Sequence, residues 1–156
     1  GGHLEIVKFL VTKAHSNVEA VGVNSSTSLL LASCNGHLDI VNYLLLEAKA
    51  DINYRFKHNN VLHVAAVGGH LEIVKFLVTK ARADADMPGN SDRTCLHVAA
   101  AQGHLAIVEF LCRETSANAL AEDNRGFSPF ALASWSHHKA FNSVELRGEK
   151  DPEKNA

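Results

Sequence analysis

Aromatic residues are scarce, at 6% of 156 residues. Bulky rings dominate the energetics of single large cores. An Ala-, Val- and Leu-rich chain without them suits many thin layers better. Cysteine is scarce too: Cys34, Cys95 and Cys112 are odd in number and form no CxxC. That excludes a disulfide framework and a zinc knuckle and leaves small buried hydrophobes in a reducing compartment as the reading. Apolar runs are only a few residues long, so no segment can span a bilayer as a helix. Gly1-Gly2-His3-Leu4 has neither a basic leader nor a long apolar core, so no cleavable secretory signal is expected there. Nor is there a charge excess: 15 basic against 17 acidic residues give a formal net charge of −2. That balance supplies no global field for gripping nucleic acid. What is present, 46% apolar and 21% charged residues, excludes collagen-like, mucin-like and wholly disordered chains. The length suits about one domain.

Internal repetition is the strongest positive signal. Gly2-His3-Leu4-Glu5-Ile6-Val7 recurs as Gly36-His37-Leu38-Asp39-Ile40-Val41, as Gly69-His70-Leu71-Glu72-Ile73-Val74 and as Gly103-His104-Leu105-Ala106-Ile107-Val108. The glycines step by 34, 33 and 34, and the fourteen residues from Gly1 to Ala14 reappear unchanged from Gly68 to Ala81. A second element keeps the same beat. It runs Thr27 to Ser33, Asn60 to Ala66 (Asn-Val-Leu-His-Val-Ala-Ala), Thr94 to Ala100 (Thr-Cys-Leu-His-Val-Ala-Ala) and, worn, Ser128 to Ser134. Each copy starts nine residues before the next Gly-His-Leu position. Each unit is therefore a short apolar helix, a Gly-centred break, a longer helix and a polar connector.

Residue chemistry fits that layout. Thr27, Thr94 and Ser128 bring a hydroxyl that caps the first helix, and Gly36, Gly69 and Gly103 take the positive φ that ends it. In the longer helix Leu71, Ile73, Val74, Leu77 and Val78 make an apolar stripe, while Glu72 and Lys75 face water as an i,i+3 pair. Asn24-Ser25-Ser26 and Pro88-Gly89-Asn90-Ser91-Asp92 are turn chemistry.

The pattern resembles the ankyrin repeat, whose units run about 33 residues with a T-P-L-H-x-A-A opening. The likeness covers residues 1–146 and implies an all-α solenoid of stacked helix-turn-helix units with finger-like β-turn connectors. About four repeats and a degenerate C-terminal capping helix are expected, with a polar tail over 147–156. Two departures stand out. The proline of the opening motif survives only at Pro129, and a connector containing Lys49 or Arg82 replaces the glycine after the second helix. The array opens on a second helix, which leaves Leu4, Ile6, Val7, Leu10 and Val11 on a face that normally meets a neighbour. Terminal repeats need a polar outer side. A truncated array is the expectation, with another chain covering that face as the rival account and a monomer otherwise. His137-His138 replaces Gly-His, and Ala140, Phe141 and Val144 keep the sparse stripe of a half-polar cap.

Ten histidines invite a metal or catalytic reading. His3, His37, His70, His104, His63 and His97 are locked to the repeat. Equivalent positions in stacked helices sit about 10 Å apart, whereas zinc holds its ligand nitrogens at about 2 Å. The expected role is hydrogen bonding between helices and connectors. His137 and His138 read as an exposed cap surface rather than a chelate. Cys95 beside His97 is placed by the opening motif, without an oxyanion signature or nucleophile elbow. Walker A, HExxH and GxGxxG motifs are all missing. No catalytic residue, metal ligand, cofactor or small-molecule substrate is expected.

What remains is surface. Stacked repeats make an extended concave face of fingers and first helices. The fingers are Val21 to Ser26, Tyr54 to Asn59, Met87 to Arg93 and Glu122 to Phe127. The exposed ends of the first helices are Cys34 and Asn35, Val67 and Gly68, Ala101 and Gln102, and Trp135 and Ser136. Tyr54-Arg55-Phe56-Lys57-His58 packs aromatics among cations on a tip expected to be solvated, in the manner of interface hot spots. The predicted partner-binding residues are Asn35, Tyr54, Arg55, Phe56, Lys57, Val67, Met87, Asn90, Arg93, Gln102, Arg125, Phe127 and Trp135. Arg55, Lys57, Arg93 and Arg125 form a basic inner strip suited to an acidic peptide or a free C-terminal carboxylate. Trp135 is equally suited to sealing the last core layer.

The expectation is a non-enzymatic protein-interaction module, cytoplasmic with the nucleus open, that binds a peptide or folded partner and neither nucleic acid nor membrane. Two alternatives stand. Asn24 to Cys34 with Gly36 to Leu44 is similar to repeats of the Fem family of ubiquitin-ligase substrate receptors, which implies reading of protein C-termini. A structural scaffold array within a larger multi-domain protein is the other.

Overall fold

The computed structural model describes residues 2–22 and 25–138. Its helices are α1 (Leu4–Thr12), α2 (Ser28–Cys34), α3 (Leu38–Leu46), α4 (Val61–Gly68), α5 (Leu71–Thr79), α6 (Cys95–Gln102), α7 (Leu105–Glu114) and α8 (Pro129–His138), with one 3-10 turn at Asn90–Asp92. Among the described residues the only extended pairing is an isolated antiparallel bridge between Phe56 and Asn59. The capping stripe expected at Ala140, Phe141 and Val144, the tail 147–156, Asn24 and the side chains of Ser136, His137 and His138 lie outside the description.

Two layers arise from the alternation of first and second helices. The first helices α2, α4, α6 and α8 stack on one another, the second helices α1, α3, α5 and α7 do likewise, and α2–α3, α4–α5 and α6–α7 pair within units. Between the layers runs one continuous core from Leu29 to Leu111, fed almost wholly by aliphatic side chains. Leu44, Leu62, Leu77, Leu96 and Leu111 are each essentially inaccessible. Burying one such side chain stabilises the fold by roughly 1.5–3 kcal/mol.

The helix starts follow the opening motif. Thr27 Oγ1 accepts from Leu30 N at 3.4 Å, and Ser128 Oγ accepts from Ala131 N at 3.3 Å. Thr94 closes a reciprocal box with His97, whose Nδ1 accepts the Thr94 N–H at 3.2 Å. Asn60 does the same work for α4, its Oδ1 accepting from Leu62 N and His63 N. Pro129 stands at the first position of α8, where a missing N–H costs nothing.

The Gly-His-Leu motif works between units rather than within one. Gly36 and Gly69 sit at φ +78° and +74°, and a Cβ there would come within 2.8 Å of the His70 ring and 2.7 Å of the His104 ring. The glycine of one unit thus makes room for the histidine of the next. That histidine then locks the pair: His70 Nε2 lies 2.8 Å from Cys34 O, and His104 Nε2 lies 3.0 Å from Val67 O. Out of α1, α3 and α5 the chain turns through a left-handed residue, His15, Lys49 or Arg82, whereas α7 ends in extended backbone at Thr115. The N–H of the following residue, Ser16, Ala50 or Ala83, donates to the carbonyl of Leu10, Leu44 or Leu77 at 2.8–2.9 Å.

Candidate functional site

The connectors stack as the helices do, and their polar atoms are largely spent on one another. Tyr54 Oη donates to Ser25 O at 2.8 Å, Asn90 N donates to Asn59 Oδ1 at 2.9 Å and Asn124 N donates to Ser91 O at 3.0 Å. The opening-motif histidines tie first helices to the next finger. His63 Nε2 lies 2.9 Å from Arg93 O, and His97 Nε2 lies 3.1 Å from Phe127 O. Burial holds both rings below the ordinary histidine range, with the Arg55 charge adding to the effect at His63 and Arg93 at His97. For His97 the neutral ring fits its neighbours, since Nδ1 accepts from Thr94 while Nε2–H donates to the Phe127 carbonyl.

Cys95 and His97 do not make a nucleophile and base. Cys95 Sγ donates to Ala85 O at 3.1 Å, and both nitrogens of His97 are committed elsewhere. Burial, aided by the Asp86 charge, pushes the Cys95 thiol up to about 12, so the thiolate needed for attack is not populated at neutral pH. Among the described residues no three His, Cys, Asp or Glu side chains are grouped to hold a metal ion.

Finger two is half packed and half open. Tyr54 and Phe56 are half-buried and pack against the core. Arg55, Lys57 and His58 are exposed; Arg55 donates to His58 O and Pro88 O, and Lys57 lies 5.2 Å over the Phe56 ring. The physical reason is the tight turn: Lys57 and His58 both adopt positive φ (49° and 68°) between the paired Phe56 and Asn59, which folds the aromatics back onto the stack.

Five of the predicted residues do converge. Arg93, Gln102, Arg125, Phe127 and Trp135 line one open cavity of about 460 Å³ with Ala101 and Leu132. Phe127 and Trp135 meet edge to face at 5.5 Å between ring centres. Trp135, 53% exposed, leaves much of its surface uncovered. The remaining residues lie elsewhere. Asn35 donates its side-chain amide to Leu31 O at the end of α2 and belongs to a recess beside α1. Val67 and Asn90 are exposed and Met87 half-buried, none of them lining this cavity.

Asp123 organises the site and was not singled out from the sequence. Its side chain is inaccessible. Oδ1 accepts from Arg125 N at 2.9 Å and Phe127 N at 3.0 Å, while Oδ2 takes Arg93 Nε at 3.0 Å. Burial alone would raise its carboxyl, but those N–H donors and the guanidinium outweigh it and hold the group below the usual aspartate range. The readable signal was the run Asp123-Asn124-Arg125-Gly126, an aspartate bonding its own backbone two residues on.

A family model described as ankyrin repeats (three copies) matches residues 1–56 and 62–146. The chain belongs to the ankyrin-repeat family. Among curated proteins none matches it. Ankyrin repeats are generally protein-interaction modules. No helix among the described residues is long and apolar enough to cross a membrane.

Proposed function

We propose that this ankyrin array is a non-enzymatic interaction module that holds a protein or peptide partner on the face shared by its fingers and first helices, with Arg125, Phe127 and Trp135 as the anchor. One observation carries the reading. An exposed Trp, its Phe partner and an uncommitted Arg share one cavity with Gln102, and Trp and Arg are favoured interface hot spots. Elsewhere on the same face Tyr54, Arg55 and Asn59 spend side-chain atoms on neighbouring fingers, whereas this cavity brings cationic, polar and aromatic side chains together.

Affinity capture on immobilised protein tests it. Proteins retained by the wild type are expected to be lost from Trp135→Ala and Arg125→Ala variants whose far-UV circular dichroism is unchanged. They should be kept by Leu120→Ala, which alters an exposed side chain outside the cavity. A captured set that survives both cavity variants overturns the proposal. Arg55→Ala and Phe56→Ala are poorer probes, because Arg55 bonds to Pro88 of the next finger and Phe56 packs against the core.

A further inference from the structure

We propose that this cavity selects a partner segment carrying an internal Asp or Glu side chain next to a large apolar side chain; the inference rests on the interaction reading above. Among the described residues the charge lining the cavity is one-sided. Arg93 and Arg125 are among its lining residues, and none of those residues is acidic. The nearby Asp123 carboxylate is inaccessible and already spent on Arg93 and on two backbone N–H groups. Arg93 keeps a partly exposed guanidinium of which only Nε is bound there. Arg125 is exposed, and its side chain makes no hydrogen bond or ion pair among the described residues. Guanidinium forks match a carboxylate with two parallel bonds. Beside them the Trp135 ring offers apolar area to the residue next along the ligand.

The same geometry selects a side-chain carboxylate over a chain terminus. Terminal carboxylates are captured by nests of backbone N–H groups. Finger four has such N–H groups, at Arg125 and Phe127, but Asp123 Oδ1 fills them from inside the protein. The donors left for a ligand are on side chains, and these can meet an acidic residue anywhere along an extended peptide.

Capped random peptide libraries, with the central residue fixed as Asp, Glu, Asn or Lys, test this on the immobilised full chain. The wild type should retain the Asp and Glu pools, enriched in Trp, Phe or Leu beside the fixed position. The Asn pool should bind about tenfold or more weakly, the usual scale for losing a charge-assisted bond, and the preference should shrink with added salt. Arg125→Glu should invert the selection toward the Lys pool, a switch that simple damage to the fold would not produce. Equal binding of Asn and Asp pools by the wild type, with Trp135→Ala still abolishing binding, overturns the carboxylate assignment and leaves the interaction reading intact. An acid preference unchanged in Arg125→Glu also overturns it. So does a pool with a free C-terminal carboxylate and no acidic side chain that binds as well as the internal Asp pool. Peptide binding indifferent to both Trp135→Ala and Arg125→Ala overturns the interaction reading itself.

Discussion

Leu10 and Leu77 occupy the same place in an identical stretch of fourteen residues, so Leu10→Ala and Leu77→Ala are one substitution in two environments. Leu77 is 0% exposed and its helix also buries Ile73 and Val74; Leu10 is 44% exposed and Ile6, the match of Ile73, is 58% exposed. Removing a leucine from a closed aliphatic layer costs the transfer free energy of the lost carbons plus that of the cavity left behind, about 3–5 kcal/mol in total. At Leu10 no enclosed cavity forms and only about half of the transfer term applies, about 1 kcal/mol. Intrinsic helix propensity cancels, because both helices read Leu-Glu-Ile-Val-Lys-Phe-Leu-Val-Thr. The two variants should therefore differ by roughly 2–4 kcal/mol. Urea denaturation followed by circular dichroism reads this as a much larger fall in midpoint for Leu77→Ala. The slopes should be checked, since repeat arrays can lose cooperativity. Equal losses, or a larger loss at Leu10, would refute the assignment of α5 to the interior and α1 to an open end.

Three further outcomes follow from the geometry. Because His63 and His97 are held below their unfolded value of about 6.5, the unfolded chain binds more protons as pH falls past that point. Stability should be full above pH 6.5 and decline below it, by up to about 1.4 kcal/mol per pH unit for each histidine; urea midpoints that stay flat from pH 7.5 to 5.5 would contradict this. Lys49 and Arg82 sit at φ 58° and 59°, where an L side chain costs about 1–2 kcal/mol and glycine instead loses about 0.5–1 kcal/mol of chain entropy. Lys49→Gly with Arg82→Gly should accordingly raise stability by about 1–2 kcal/mol, and a lowered thermal midpoint would count against it. Cys34 and Cys112 are exposed whereas Cys95 is buried, so a thiol reagent should titrate two groups in the native protein and the third only after unfolding.

Much of the fold was legible because its signals are local. The Gly-His-Leu period, the hydroxyl or amide before each short helix and the i,i+3/i+4 stripe of the long ones all act within a few residues, and the helices start and stop where those residues stand. The site was legible only in part. Arg93, Gln102, Arg125, Phe127 and Trp135 come together as a single cavity, but Tyr54 and Arg55 bond to Ser25 and Pro88, about one repeat away along the chain, and Phe56 packs against the core. Asp123 was overlooked because its role lies in Arg93, thirty residues upstream.

By itself the sequence determined the repeat length, the helices, their caps and the left-handed glycines, since backbone preference and hydrophobic period are properties of short segments. Tertiary structure alone decided how completely the interior copy of the fourteen-residue stretch is closed off, why each glycine must yield space to the next unit's histidine, and which finger residues remain free to bind. Those outcomes depend on neighbours roughly thirty residues away, and burial and hydrogen bonding are completed only when the units stack.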